Sequence, residues 1–110
     1  MGDINSENIN PTNAVIVGII TQKQTPELIK EYLDELEFLA KTYGVKTKKR
    51  FTQRLETPNT ATFVGKGRLD EIRKYVKTNN IDTVIFDDDL SPSQLRNVEK
   101  ILDVLILDRS

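Results

Sequence analysis

The first chemical signal is the string Thr62-Phe63-Val64-Gly65-Lys66-Gly67-Arg68-Leu69. A short apolar run, Phe63-Val64, stops at Gly65-Lys66-Gly67, and a helical pattern starts at Arg68. Strand, tight glycine turn, helix is an arrangement that aims backbone N–H groups and the positive end of a helix at an anion. Lys66 and Arg68 add cations at the same place. The chemistry this predicts is phosphate recognition, in RNA or in a nucleotide. The competing reading is a plain turn with solvated cations. A basic run upstream, Lys41, Lys46, Lys48, Lys49, Arg50 and Arg54, contains no acid. Lys48 and Arg50 therefore join Gly65, Lys66, Gly67 and Arg68 as a secondary patch for phosphate contact. Such contacts give binding that falls steeply with salt. The aromatics nearby are only Tyr43, Phe51 and Phe63. That argues against stacking on single-stranded bases and for a folded, backbone-rich RNA surface.

Catalytic constellations are hard to assemble. The chain has neither Cys nor His, which removes thiolate and disulfide chemistry, the commonest general base, the commonest zinc ligand and every Ser/His or Cys/His nucleophile system. A triphosphate-binding loop needs Gly-x-x-x-x-Gly-Lys-Ser/Thr. Gly65-Lys66-Gly67-Arg68 lacks both the spacing and the hydroxyl that holds magnesium. Asp87-Asp88-Asp89 invites a phosphoacceptor reading, but the partner acids such a site wants after the first strand are replaced by Thr21-Gln22. The aspartates read instead as groups that solvate a strand end and favour the next helix N-terminus. We assign no catalytic residue and no metal ligand. An independent purine-nucleotide (ATP) site at Gly65-Lys66-Gly67, with Asp87 or Asp88 on magnesium, is the enzymatic alternative.

The elements that must position these residues follow from hydrophobic period and capping. The chain has 110 residues and a net charge of -1, enough for one domain with a core and no global pull toward nucleic acid. No apolar run approaches the ~20 residues of a membrane span, and no signal sequence opens the chain. Met1 to Asn13 is polar and predicts a disordered lead, leaving 14–110 as the domain. Ala14–Ile20 is a β-branched apolar run suited to a buried parallel strand. Thr25-Pro26-Glu27 starts a helix whose apolar face carries Leu28, Ile29, Tyr32, Leu33, Leu36, Leu39 and Ala40, closed by Gly44. Val45 to Phe51 alternates and predicts an edge strand, and Gln53 to Thr60 a loop. Leu69, Ile72 and Val76 mark a second helix ending near Asn79-Asn80. Thr83–Phe86 and Val104–Leu107 read as further buried strands. Between them, Ser91-Pro92-Ser93-Gln94 is a capping box, and Leu90 and Leu95 have the spacing of a hydrophobic staple. The pattern predicts an α/β fold: a small open, mostly parallel sheet of about four strands covered by about three helices. The strand ends, Thr21-Gln22, Gly65-Lys66-Gly67, Asp87-Asp88-Asp89 and Asp108-Arg109, should share one rim. A chain that stops directly on a buried strand reads as a piece of a longer protein, because a doubly wound domain would follow that strand with a covering helix.

Two strings carry a family resemblance. The first is Gln53-Arg54, then Pro58, then Thr62 to Leu69 with Glu71; the second is Val84-Ile85-Phe86-Asp87-Asp88-Asp89-Leu90-Ser91-Pro92-Ser93-Gln94-Leu95-Arg96-Asn97-Val98-Glu99-Lys100. With the ending Val104 to Ser110, they resemble the N-terminal domain of the HflX family of GTPases. The resemblance implies a cytoplasmic, ribosome-associated GTPase that binds the large subunit and its rRNA and acts on stalled or idle ribosomes. It implies downstream partners in the same polypeptide, a helical hairpin and a GTP-binding domain. GTP and Mg2+ are expected for the full-length protein and no cofactor for this stretch. It also leaves room for ATP binding at Gly65, Lys66, Gly67 and Arg68, or for a purely structural domain that restrains the GTPase.

Overall fold

The computed structural model describes residues 12–109. Most of the expected disordered lead, residues 1–11, lies outside them. The elements run β1 (Thr12–Ile20), α1 (Pro26–Thr42), β2 (Val45–Arg54), α2 (Lys66–Thr78), β3 (Thr83–Phe86), α3 (Pro92–Leu102) and β4 (Leu105–Leu107). All pairings are parallel, in a four-stranded sheet of order β2-β1-β3-β4. The α/β architecture is as the sequence predicts, with β2 at an edge.

The pleat of β1 divides the core in two. Val15, Val17 and Ile19 face α2 and α3, joined by Phe51, Leu69, Ile72, Val76, Val98 and Leu102. Ala14 and Ile16 face α1, joined by Ile29, Leu33, Ala40 and Ile85. β1 is buried on both faces because it is central, which is why its sequence is a continuous apolar run. α1 and α3 start as their residues dictate. Thr25 accepts from the Leu28 N–H at 3.1 Å with Pro26 following. Ser91 and Gln94 complete the reciprocal capping box. Gly44, at φ 80°, takes the left-handed turn that ends α1.

Several boundaries and one element differ from expectation. β1 begins at Thr12, two residues inside the predicted lead, because the Thr12 N–H reaches the Gly44 carbonyl at 3.1 Å. β2 continues through Arg54, so Gln53 belongs to a strand, paired with Ile19. Phe63-Val64 is no strand. Phe63 has φ 66° and makes an isolated antiparallel bridge with Asn59. Pattern alone cannot separate such a buried loop from a short strand. α2 starts at Lys66 rather than Arg68. Finally, β4 is not buried on both sides: Ile106 is buried, whereas Leu105 and Leu107 are 55% and 43% exposed.

Candidate functional site

The Gly65–Arg68 corner rests on a loop that α3 holds in place. Asn59 exchanges two backbone hydrogen bonds with Phe63, both 2.9 Å, and its side-chain oxygen accepts from the Ala61 and Thr62 N–H groups at 2.8 and 3.0 Å. Gln94, buried at the start of α3, donates to the Asn59 carbonyl at 2.7 Å, and Asn97 donates to the Ala61 carbonyl at 3.0 Å. The two separate sequence strings therefore touch each other. Phe63 is held at its positive φ by burial and by an edge-to-face contact with Phe86, centroids 5.6 Å apart. A bulky residue at positive φ persists only where its surroundings over-determine it.

The corner itself is the N-terminus of α2. Gly65 is the N-cap and supplies no side-chain cap, and the first turn holds no acid. The Gly65 N–H donates to Gln53 Oε1 at 2.8 Å, which ties the helix start to the C-terminal end of β2. The corner thus reaches the strand-end rim through Gln53, not as a strand end of its own. The Leu69 N–H is the first to find an intrahelical acceptor, the Gly65 carbonyl. The N–H groups of Lys66, Gly67 and Arg68 have no partner among the described residues. A helix start of this kind carries partial positive charge. Neither glycine has a positive φ, so the backbone shape does not demand them. A Cβ at Gly67 would meet nothing within 4 Å. What glycine supplies there is a bare backbone open to close approach.

The predicted cations separate. Lys66 is exposed and has no ion-pair partner among the described residues. Arg68 Nη1 pairs with Glu71 at 3.1 Å, while its Nε is buried without a partner. Arg50 lies on the opposite face of the sheet, where Asp34 and Glu37 of α1 grip its Nη2 at 2.7 and 2.8 Å. Burial alone would lower its pKa, and the hydrogen bonds it donates to the Asp34 and Glu37 carboxylates reverse that and hold it above the ordinary arginine value. Arg50 is therefore an α1–β2 clamp, not part of one surface with Lys66. Lys48 is exposed, at an irregularity of β2 where the pairing with β1 slips by one residue. It stands five positions before Gln53, roughly 16 Å along the strand.

The triple aspartate is largely occupied. Asp87 pairs with Arg109 Nη2 at 2.9 Å, which raises the Arg109 pKa against the effect of burial. Asp88 accepts from the Asp89 N–H at 2.8 Å. Asp108 accepts from the Leu90 N–H at 2.9 Å. No group of three or more Asp or Glu among the described residues is arranged to hold a metal ion. Sequence reasoning misses the roles of Gln53, Asn59 and Asn97; the only advance signal is the Pro58-Asn59 turn.

Known proteins resemble the chain in sequence and in fold. A family model described as GTP-binding GTPase N-terminal matches residues 30–110. The protein called GTPase HflX of Flavobacterium psychrophilum is 52% identical over 107 residues, 97% of this chain and 26% of the relative. GTPase HflX of Chlamydia pneumoniae is 34% identical over 98% of this chain and 23% of the relative. The chain thus spans about a quarter of the length of the curated relatives it matches. Among solved structures, one described as the complex of SsGBP with GDP superimposes with a TM-score of 0.65 at 18% identity, over 88% of this chain and 26% of that one. This last likeness shows a shared fold.

Proposed function

The chain belongs to the N-terminal domain family of HflX GTPases, and from that premise we propose that it is the ribosome-binding and regulatory module of such a GTPase, with the α2 corner as its contact to large-subunit rRNA phosphate. The observation that carries this reading is the uncapped start of α2. Three N–H groups and the exposed Lys66, all without partners among the described residues, belong to this helix start beside a bare Gly67, with no acid in the first turn. Phosphate contacts of this kind position a protein without reading sequence. Gly65, Lys66, Gly67 and Arg68 form the contact. Lys48 is a separate, weaker site, and Arg50 acts on the fold rather than on RNA. GTP hydrolysis, with GTP and Mg2+, would fall to a GTP-binding domain elsewhere in the full-length cytoplasmic protein, and this domain would restrain or release it.

A nucleotide site at the same corner is the weaker alternative, because Asp87 is paired with Arg109 and so poorly placed to hold magnesium. The test is binding of the full-length protein to large ribosomal subunits. Lys66→Ala with Arg68→Ala should weaken binding while leaving the melting temperature nearly unchanged. Unaltered affinity would overturn the assignment. Calorimetry with ATP, GTP and magnesium on residues 1–110 separates the alternative, which predicts saturable heat where the present reading predicts none.

A further inference from the structure

α3 holds the loop that sets the start of α2, and α3 is itself held where it begins. Residues 108 and 109, directly after β4, fasten the connection between β3 and α3. Asp108 accepts from the Leu90 N–H at 2.9 Å, one residue before the Ser91 N-cap. The Arg109 N–H donates to the Asp88 carbonyl at 3.0 Å. Arg109 Nη2 donates to the Asp87 carbonyl at 3.1 Å and to Asp87 Oδ1 at 2.9 Å. The first turn of α3 is thus tied down from the end of β4 as well as by its own capping box.

The loop at the far end of α3's reach is strained. The Val64 N–H bonds back to the Thr62 carbonyl at 2.6 Å, across Phe63 at φ 66°. That is a γ-turn of positive φ, the rare and strained form. Strain of this kind persists only while the surroundings impose it. Two side chains from α3 impose it from outside the loop: Gln94 on the Asn59 carbonyl and Asn97 on the Ala61 carbonyl. Ring packing of Phe63 on Phe86 adds to them. Shifting the first turns of α3 takes both side chains out of hydrogen-bond reach and leaves the strain opposed by ring packing and by the loop's own bonds.

We propose that Asp108 and Arg109 are positioning residues for the α2 corner. Their grip on the β3–α3 connection, passed on by Gln94 and Asn97 to residues 59–64, keeps Gly65 and the open N–H groups beyond it in the geometry that receives phosphate. The last step rests on the phosphate reading of the corner; the relay from residue 108 to residue 65 does not. Linkage of this kind is reciprocal. A phosphate seated at the corner favours the held loop, and with it the engagement of residues 108 and 109.

Amide hydrogen exchange of residues 1–110 tests the relay. In Asp108→Ala the Leu90 N–H loses its acceptor. The amides of Asn59, Phe63 and Gly65, bonded within the loop and to Gln53, should then exchange about tenfold faster, the size of effect that one lost bond to a charged group has on local opening. The Leu55 amide, bonded to the Ile20 carbonyl at the end of the β1–β2 pairing, should keep the parent rate. Asp108→Asn retains an acceptor oxygen for Leu90 and should restore most of the protection. Faster exchange confined to the first turn of α3, with Asn59, Phe63 and Gly65 at the parent rate, would overturn the proposal. So would equal acceleration at Leu55, which reports a general loss of stability, or an Asp108→Asn variant as fast as Asp108→Ala. Failure of the phosphate reading shows separately: Lys66→Ala would then leave large-subunit binding by the full-length protein unchanged while the exchange pattern stands.

Discussion

Replacing Gln94 by Ala tests how the corner is held. Gln94 is 9% exposed and makes two side-chain hydrogen bonds. Its Oε1 accepts from the Ser91 N–H at 2.8 Å, and its Nε2 donates to the Asn59 carbonyl at 2.7 Å. Each such bond contributes about 0.5–1.5 kcal/mol net, and a buried partner left unsatisfied adds to the loss. The expected destabilisation is about 2–3 kcal/mol. For a domain of this size, with about 5–15 kcal/mol in total, that lowers Tm by roughly 10–20 °C. Gln94→Glu separates the two roles. A glutamate keeps the acceptor for Ser91 and suits the helix N-terminus, but sets an anionic oxygen against the Asn59 carbonyl. It should therefore recover only part of the loss. Urea unfolding of residues 1–110 measures both variants, and amide exchange should show residues 59–64 opening first in Gln94→Ala. A loss below about 0.5 kcal/mol, the ordinary range for surface changes, would refute the view that α3 holds this loop. So would full recovery by glutamate.

Asp103 ends α3 at φ 55°, so Asp103→Gly should raise stability by about 0.5–1 kcal/mol, read as a rise in Tm of a few degrees; a fall would contradict the left-handed cap. Hydrogen bonds from Lys30 and then Arg50 hold the Asp34 carboxylate below its ordinary pKa. A depressed folded value means the stabilisation is present above the unfolded pKa, about 3.9, and is lost as pH falls through the folded one. The urea midpoint should therefore drop below about pH 4, and Asp34→Asn should flatten part of that limb; an identical acid limb in the variant would count against the clamp. Phe63→Ala should cost about 3–5 kcal/mol through the cavity it leaves beside Phe86, measured by chemical denaturation, and a loss under about 1 kcal/mol would show the loop is not packed as described.

The features legible in the sequence are those encoded within a few residues. Ser91-Pro92-Ser93-Gln94 announces its own capping box, and the apolar run of β1 announces a central strand. Phe63-Val64 reads as a strand because nothing local distinguishes a buried loop from one; its shape is imposed by Gln94 and Asn97 from more than thirty residues away. Arg50 looks like part of a basic patch because its neighbours in sequence are lysines. Only the parallel β1–β2 pairing brings Asp34 and Glu37 beside it. Gln53 and Gly67 stand in the region the sequence points to, for different physical reasons. Gln53 sits in a strand and holds the helix start, and Gly67 keeps the backbone open rather than bending it.

Salt dependence of large-subunit binding by the full-length protein with Lys66→Ala tests the phosphate-contact assignment most directly. Each phosphate that loses its lysine should reduce the slope of log K against log salt by about 0.7–1. Contact between Lys66 and rRNA phosphate predicts weaker binding at low salt, a slope shallower by about that amount, and an unchanged Tm. Binding with the parent's affinity and slope would contradict it.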